Sequence, residues 1–346
     1  MMTVPGVVAA VAAPTLTVAA GRLDRRTALI AMTALFDLSD IIAATAGNFT
    51  VMLTARFLLG LGIGGFWAIG ASLGARLVGS RDAVRATSII FAGVSIASVV
   101  GVPAGAFIGG HFGWRSAFLA TAGLGVTTLI LELALLPRMD IDEPVTWTGL
   151  ASVLRGPNAR VGLATTLLLV IGQFTAYTYV APFLEKHTDS SSTEISALLL
   201  AYGVTGIIAN LTVSSALGRR LYTTVVCIMV MLAGSALFMP ILGTLTVGAA
   251  LILLVWGFAY GAVPIALQTW VFTADTAAPE GGSALYISAF QISVAGGSLL
   301  GGQLVDATGS TTVAMTTGGL LAAAALALFT SLARRPAPSA HLEPAS

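Results

Sequence analysis

The sequence predicts an all-helical membrane protein, and two features of its composition carry that prediction. Of its 346 residues, 56% are apolar and only 9% are charged, whereas about 25% of the residues in a soluble domain are charged. The apolar residues also form long runs, and a helix of about 20 residues crosses a hydrocarbon core about 30 Å thick. We therefore predict eleven transmembrane helices, in the runs 3–20, 27–46, 50–75, 88–109, 117–136, 161–184, 195–217, 221–241, 245–272, 284–304 and 311–333.

The basic residues between these runs alternate in number from loop to loop. Because Lys and Arg are enriched in cytoplasmic loops, the loops on the arginine-rich side are predicted to be cytoplasmic; Arg115 and Lys186 fall on the other side. An odd number of helices then places the amino terminus outside and the carboxyl terminus in the cytoplasm, for a multi-pass protein of the inner (plasma) membrane. The predicted cytoplasmic set is Arg22, Arg25, Arg26, Arg76, Arg81, Arg85, Arg138, Arg155, Arg160, Arg219, Arg220, Arg334 and Arg335.

The longest polar interval divides the chain into two parts. Residues 138–160 contain prolines and mixed charges, which are typical of a linker, here cytoplasmic and with a short interfacial helix. Five spans precede this linker in residues 1–137, and six follow it in 161–333. Secondary transporters are often built from two halves that rock about a site at the midplane. The tail, 334–346, is predicted to be disordered and cytoplasmic.

Two motif matches that would indicate an enzyme fail on their context. GLGIGG, which begins at Gly60, fits the dinucleotide fingerprint but lies inside an apolar helix with no strand before it. GASLG, around Ser72, fits the nucleophile elbow of hydrolases, yet His111, His187 and His341 all lie in predicted loops or the tail. We therefore predict no enzymatic activity. We also expect no cofactor, no metal, no nucleic-acid partner and a monomeric chain.

Small residues recur every four positions in the run 88–109. Such a ridge lets another helix backbone approach closely, and the proline within it removes one backbone donor and loosens the helix. Tight packing and a mechanical role in conformational change both explain this pattern, and the spacing does not separate them. The ridge consists of Gly93, Ala97, Gly101, Gly105 and Gly109, with Pro103 among them.

Several motifs resemble those of a known family. GVPAGAFIGGHFGWRSAF, from Gly101 to Phe118, resembles the fifth-helix motif of major facilitator antiporters, and Arg56 with Gly60 and Gly62 resembles their fourth-helix motif. The stretches GGFWAIGASLGARLV, VSIASVVGVPAG, IGQFTAYTYVAPF and VWGFAYGAVPIALQTW are most similar to purine-nucleoside efflux pumps of the drug:proton antiporter branch. The resemblance implies the major facilitator fold, which has two bundles of six helices, here five plus six.

The sequence departs from that family at two places. The resemblance implies a cytoplasmic gate loop at Arg22, Asp24, Arg25 and Arg26, but Gly21 stands where the family has an aspartate. The family's first helix, which generally bears a carboxylate implicated in proton coupling, has no counterpart in residues 1–346. Either the reading frame begins further upstream, or the chain is a truncated, non-transporting remnant.

Arg56 and Trp67 are candidate binding residues in the run 50–75. An arginine inside a membrane helix costs about 2.5–3.5 kcal/mol on insertion scales, so it needs a partner or a water-filled cavity. Eleven helical residues turn by about 1100°, which places Trp67 on nearly the same face as Arg56. The pair suits a polar aromatic ligand. Alternatively, Arg56 ties its helix to neighbours near the outer membrane interface, and Trp67 is one of the membrane-interface or packing residues.

Asp37 and Asp40 are the acidic residues near the middle of a span. An ionised carboxylate is costly in hydrocarbon, so these side chains are candidate proton carriers. The alternative is a structural role, in which they pair with Arg56, bond to helix hydroxyls or act as protonated donors.

The second half of the chain contains a candidate pocket. Gln173 and Tyr177 are four residues apart, as are Trp256 and Tyr260, so each pair shares a helix face. A carboxamide can donate to and accept from a base edge while a ring stacks on its face, which is the chemistry that a purine requires. Helix packing is the alternative role. The predicted pocket set is Gln173, Phe174, Tyr177, Trp256, Tyr260 and Gln268.

The sequence as a whole predicts a secondary transporter. We expect it to export a small solute, a purine nucleoside or an analogue, in exchange for protons by alternating access. No phosphate loop is present, so ATP is not the expected energy source. Drugs, sugars or other metabolites are alternative cargoes for the same fold.

Overall fold

The structure is a computed structural model that describes residues 3–21, 23–139, 145–188, 190–274 and 279–334. Within these ranges all regular secondary structure is helical, as the sequence predicts. The helices are α1 (Thr3–Ala19), α2 (Arg25–Thr45), α3 (Phe49–Phe112), α4 (Trp114–Leu135), α5 (Trp147–Val153), α6 (Pro157–Tyr177), α7 (Val180–His187), α8 (Ser192–Leu242), α9 (Thr246–Ala274), α10 (Pro279–Thr308) and α11 (Thr311–Leu332).

Eight segments of the described chain are helical, long and apolar enough to cross a membrane. Helix α1 is also apolar but has only 17 residues. Many large apolar side chains lie on the surface of these helices; on α4, for example, Leu124 is 71% exposed and Ile130 is 60% exposed. Such a surface would be costly in water and is the one that a bilayer covers.

Helix α8 changes direction at Arg220, whose backbone angles (φ −144°, ψ 56°) lie outside the helical region. Its first limb runs parallel to α9. Cβ atoms built on Gly257 and Gly261 would meet the backbones of Tyr202 and Gly206, respectively, so the order of contacts is the same along both helices.

The second limb of α8 runs antiparallel to α9. It ends at Leu242, four residues before α9 begins, and its Tyr222 ring packs on Trp270 near the far end of α9, with centroids 6.3 Å apart. The two limbs are therefore antiparallel to each other. The predicted spans 195–217 and 221–241 are separate crossings within one continuous helical segment.

Helix α3 also contains two limbs. It has 64 residues, and a straight helix of that length would extend about 96 Å. Its two ends are nevertheless close: Arg115 Nη2, just beyond α3, donates to the carbonyl oxygen of Ala46, just before it, at 2.8 Å. The Arg56 guanidinium lies 5.0 Å from the centre of the Phe118 ring. The chain must therefore reverse direction inside α3.

The segment between the predicted runs 50–75 and 88–109 differs from the non-helical loop that the sequence predicts. Residues 76–87 are helical in the structure. The segment contains no proline, and its three arginines, two alanines and one leucine favour helix. The reversal therefore occurs without a long non-helical connection.

The apolar core forms two clusters of unequal size. The larger cluster is built almost entirely from residues between 150 and 329, and the smaller contains Ala28, Leu29, Ile69 and Met139. Helices α1 and α10 connect the two halves of the molecule. There, the hydroxyl of Ser288 donates to the carbonyl oxygen of Ala10 at 2.6 Å.

The linker contains a short helix, as predicted. Helix α5 is capped by Thr146, whose Oγ1 accepts from the Gly149 amide at 3.2 Å. Helix α6 begins at Pro157, four residues before the predicted start, because proline fits the first turn of a helix. The predicted span 161–184 is interrupted after Tyr177, and α7 continues it. The domain boundaries at 137, 160 and 333 stay a prediction, and most of the predicted disordered tail lies outside the described residues.

Candidate solute-binding site

A buried hydrogen-bond network joins α6, α8 and α9. Gln173 Nε2 donates to the hydroxyl of Tyr202 at 3.0 Å, and Trp256 Nε1 donates to Gln173 Oε1 at 2.7 Å. Gln173 is 1% exposed, Tyr202 6% and Trp256 0%. Each of the three side chains thus has a partner inside the protein, which a buried polar group requires.

Aromatic rings surround this network. The Tyr177 ring stacks on Tyr202 with centroids 4.7 Å apart and meets Trp256 edge-on at 6.4 Å. Phe174 meets Tyr260 edge-on at 6.0 Å. Phe174, Tyr177 and Tyr260 are half-buried. We call these six residues, Gln173, Phe174, Tyr177, Tyr202, Trp256 and Tyr260, the aromatic cluster.

Helical spacing and close helix contact together assemble the cluster. The spacing of four residues aligns Gln173 with Tyr177 on α6 and Trp256 with Tyr260 on α9. The first limb of α8 then comes very close to α9, because the glycines of α9 leave room for its backbone. This close approach brings the Tyr202 hydroxyl within reach of Gln173.

Five of the predicted pocket residues meet in the aromatic cluster, and Tyr202 was missed. It lies in the apolar run ALLLAYGVTG, where the one other polar residue is Thr205, and no amide or second aromatic residue marks a binding face. The available signal was a phenol one helical turn from Gly206, since a hydroxyl in a membrane helix needs a partner from another element.

Gln268 is not part of the cluster. Its Nε2 donates to the hydroxyl of Ser283 at 3.0 Å, and its side chain is 5% exposed. It lies 12 residues beyond Trp256, which is about 18 Å along α9. In this structure Gln268 ties α9 to α10.

Arg56 and Trp67 have different neighbours, although they share a helix. The Arg56 guanidinium lies over Phe118 of α4 and is close enough to Asp40 of α2 for their charges to attract. Trp67 packs edge-on against Phe66, with centroids 5.4 Å apart, and against the larger apolar cluster. The structure supports the role of Arg56 in tying helices together, and a shared binding wall with Trp67 stays a prediction.

Asp37 lies between α2 and α4 and is 6% exposed. Its Oδ2 is buried without a hydrogen-bond partner, and a Cβ on Gly125 would overlap its Oδ1. On the same side of α4, Glu132 Oε1 accepts from Thr33 Oγ1 at 3.0 Å, while Glu132 Oε2 is buried without a partner. Asp37 and Glu132 therefore each have one buried carboxyl oxygen without a hydrogen-bond partner.

The predicted gate loop is fixed to the segment after α4. Asp24 caps α2: its Oδ1 accepts from the amides of Met139 at 2.9 Å and Arg26 at 3.0 Å. The Met139 amide makes the largest contribution in lowering the pKa of Asp24, with the Arg26 amide and nearby arginine charges also lowering it while partial burial opposes them. Arg25 is fully buried, and its Nη1 donates to the carbonyl oxygen of Ala20 at 3.1 Å.

The remaining residues predicted for the gate loop and the glycine ridge make no such contacts among the described atoms. Arg22 lies outside the described residues, as does the side chain of Pro103. Among the described atoms, none comes within 4 Å of a Cβ built on Gly93, Gly101 or Gly105. Close helix packing is therefore not seen at these three glycines, and at Gly109 the nearest described atom, Trp114 Cα, lies 3.9 Å from such a Cβ. The mechanical role of the ridge stays a prediction.

Comparison with known proteins connects this fold to a family. The model of the Major Facilitator Superfamily matches residues 1–281. The chain is 34% identical over 323 residues to the transcription regulatory protein OpdE of Pseudomonas aeruginosa, covering 92% of this chain and 80% of that protein. It is 32% identical over 303 residues to the purine ribonucleoside efflux pump NepI of Salmonella paratyphi A, covering 88% of this chain and 76% of that protein.

Two solved structures share the fold. The human organic anion transporter MFSD10 (TETRAN) superposes with a TM-score of 0.73 over 94% of this chain and 82% of its own, at 18% identity. The fucose:proton symporter FucP of E. coli superposes with a TM-score of 0.72 over 96% of this chain and 88% of its own, at 12% identity. At these identities the likeness concerns the fold alone. Together with the family match, it identifies the chain as a multi-pass membrane protein of the major facilitator superfamily, and as a transporter rather than an enzyme.

Proposed function

We propose that the chain exports a small, neutral, aromatic solute of the purine-nucleoside type, and that the aromatic cluster binds it. The observation that carries this proposal is Gln173, held between Tyr202 and Trp256 and flanked by half-buried rings. The name of the Salmonella relative, a purine ribonucleoside efflux pump, supports the same class of cargo.

The chemistry of the cluster matches a purine base. Gln173 uses one N–H and one oxygen lone pair within the protein, and a base edge can reach its second N–H and lone pair only when the helices around this 1% exposed side chain move apart. The half-buried ring of Tyr177 offers a face on which a base can stack, and stacking contributes about 1–3 kcal/mol per base. No charged side chain belongs to the cluster, so an uncharged solute fits better than an anion.

The test replaces the stacking face while keeping the rest of the cluster. In cells that overproduce the protein, Tyr177→Leu is expected to raise the half-saturating concentration for export of labelled inosine about 5- to 150-fold. Tyr177→Phe, the matched control, keeps the ring and is expected to stay near the original value. Equal export by cells with and without the protein would remove the nucleoside assignment, and equal behaviour of the two variants would remove Tyr177 from the site.

We propose that export is coupled to proton entry by alternating access and that Asp37 carries the proton. Its unpaired, buried Oδ2 supports this role, whereas Asp40 faces the charge of Arg56. In proteoliposomes, Asp37→Asn is expected to abolish inosine transport driven by a pH gradient while leaving exchange of labelled for unlabelled inosine intact. Asp40→Asn is the comparison. Gradient-driven transport that survives Asp37→Asn but not Asp40→Asn would assign the proton to Asp40.

Two other functions are tested by the same measurements. Drugs, sugars or other metabolites remain alternative cargoes of this fold, and competition with labelled inosine identifies them. A regulatory role without transport is suggested by the name of the Pseudomonas relative. It predicts no export of any solute by the purified protein. We also propose a monomer in the plasma membrane with its carboxyl terminus in the cytoplasm.

A further inference from the structure

An open groove of about 490 Å³ lies where α8 reverses direction. Both limbs of the helix contribute to it, on either side of the reversal at Arg220. The side chains of Arg219 and Arg220 are exposed there. The groove is lined by Ser215, Ala216, Arg219, Arg220, Thr223, Thr224 and Cys227.

The side chains that line the groove favour the binding of a phosphate group. Two guanidinium groups on adjacent residues can hold phosphate oxygens through paired, charge-assisted hydrogen bonds. No carboxylate lines the groove to neutralise them. The Thr224 hydroxyl donates to the carbonyl oxygen of Arg220 at 2.9 Å, which fixes the first turn of the second limb beside the arginines.

The surroundings of the groove are those of a membrane surface. Two to three turns from the arginines, the same limbs expose Leu211 (55%) and Val230 (51%). Charged groups at the end of a helix whose next turns are apolar and exposed lie at the level of lipid headgroups. A soluble anion would need no apolar surface beside its site, whereas the acyl chains of a lipid do.

The groove lies at the arginine-rich end of the molecule. Tyr222, two residues past the reversal, packs on Trp270, and Trp270 Nε1 donates to the carbonyl oxygen of Asn158 at 3.1 Å. Asn158 in turn bonds to the backbone of Arg334 at 3.0 Å. The linker, the end of α11 and the reversal of α8 therefore meet at one face.

We propose that this groove binds the headgroup of an anionic phospholipid, with Arg219 and Arg220 holding its phosphate and the acyl chains lying along the exposed apolar side chains of α8. The site is separate from the aromatic cluster. It would anchor the turn between the two limbs of α8 to the inner leaflet.

The only cysteine of the chain provides the reporter for a test. Cys227 is exposed and lines the groove from the second limb of α8. A bimane fluorophore on Cys227, in phosphatidylcholine nanodiscs, should be quenched by spin-labelled phosphatidylglycerol at lower mole fractions than by spin-labelled phosphatidylcholine. Two arginines near a membrane surface contribute about 1 kcal/mol each, so Arg219→Gln with Arg220→Gln should weaken this preference about 30-fold.

Controls separate the site from general charge and from soluble anions. Arg155→Gln with Arg160→Gln removes the same charge from exposed positions elsewhere on that face and should keep the preference. Equal loss in both double variants, or no preference in the original protein, would overturn the proposal. So would relief of quenching by inorganic phosphate, which would assign the groove to a soluble anion. Size-exclusion elution and thermal unfolding of each purified variant report whether it has folded, independently of lipid binding and of solute export.

Discussion

At the scale of single residues, the aromatic cluster depends on one amide. Gln173 accepts from the Trp256 indole of α9 and donates to the Tyr202 phenol of α8, so one side chain of α6 orients two rings from two other helices. A buried donor left without its acceptor costs about 1–3 kcal/mol. The amide therefore both stabilises the three-helix contact and sets the geometry that we assign to solute binding.

Asp24 gives a residue-scale prediction about pH. Its lowered pKa means that its carboxylate stabilises the fold above the ordinary value of 3.8, and this contribution is lost as the pH falls through the lower value of the folded protein. Asp24→Asn keeps an acceptor at the helix cap but removes the charge. We expect it to lower stability at neutral pH by about 0.3–1 kcal/mol, with the difference shrinking below pH 3.8.

Thermal unfolding of the purified protein at several pH values measures this difference. Asp24→Ala also removes the cap, so its free energy of unfolding should be about 1 kcal/mol lower than that of the original protein. Part of that loss should persist in acid. A gap between the original protein and Asp24→Asn that stays constant across the acid range would show that the charge contributes nothing.

At the scale of helices, the close approach of α8 and α9 controls the site. A Cβ on Gly261 would overlap the backbone of Gly206, so Gly261→Ala must push the two helices apart. Overpacking of this kind costs about 1–3 kcal/mol. Because α8 carries Tyr202 and α9 carries Trp256, we expect a lower melting temperature together with weaker inosine export.

The matched control for this substitution is Gly234→Ala. No described atom lies within 4 Å of a Cβ at Gly234, and alanine favours helix over glycine by about 1 kcal/mol. This variant should be as stable as the original protein or more so, with unchanged export. Equal effects of the two substitutions would mean that the close contact between α8 and α9 is not what limits the site.

Sequence reasoning succeeded for contacts within one helix and failed for contacts between helices. The spacing of Gln173 and Tyr177, and of Trp256 and Tyr260, fixes a shared face without any knowledge of the neighbours. Tyr202 was missed because its place in the cluster depends on how deeply α8 packs against α9. Gln268 was assigned to the cluster by its chemistry alone, and its distance along α9 excludes it.

The reversals show the same limit at a larger scale. Hydropathy and arginine counts predict separate spans within both α3 and α8, and the contacts around Arg115 and Tyr222 show that the chain does turn back in each. The form of the turns was not predictable: at 76–87 and at Arg220 the segment stays helical up to the reversal. The local sequence favours helix in both places. A turn is required only because a straight helix of this length would extend far beyond the thickness of the bilayer.

At the scale of the whole molecule, the two ends of the bundle should face opposite sides of the membrane. Asp24, Met139, Asn158 and the reversal of α8 lie at one end, whereas the contact of Arg115 with Ala46 lies at the other. The arginine-rich end is predicted to be cytoplasmic. Single cysteines placed in a Cys227→Ser background can test this arrangement with a membrane-impermeant maleimide.

Exposed positions at both ends are available for this experiment. Gly47→Cys, between α2 and α3, and Thr244→Cys, between α8 and α9, should be labelled in intact cells, because both connections lie at the end opposite the arginines. Trp147→Cys, in the exposed first turn of α5, should be labelled only after the cells are permeabilised. Labelling of Gly47→Cys and Trp147→Cys from the same side would contradict the crossing order of α2 to α4, and labelling of Trp147→Cys alone in intact cells would reverse the orientation. The assignment of the lipid groove to the inner leaflet depends on the same result, because the arginines of α8 lie at the end that carries Trp147.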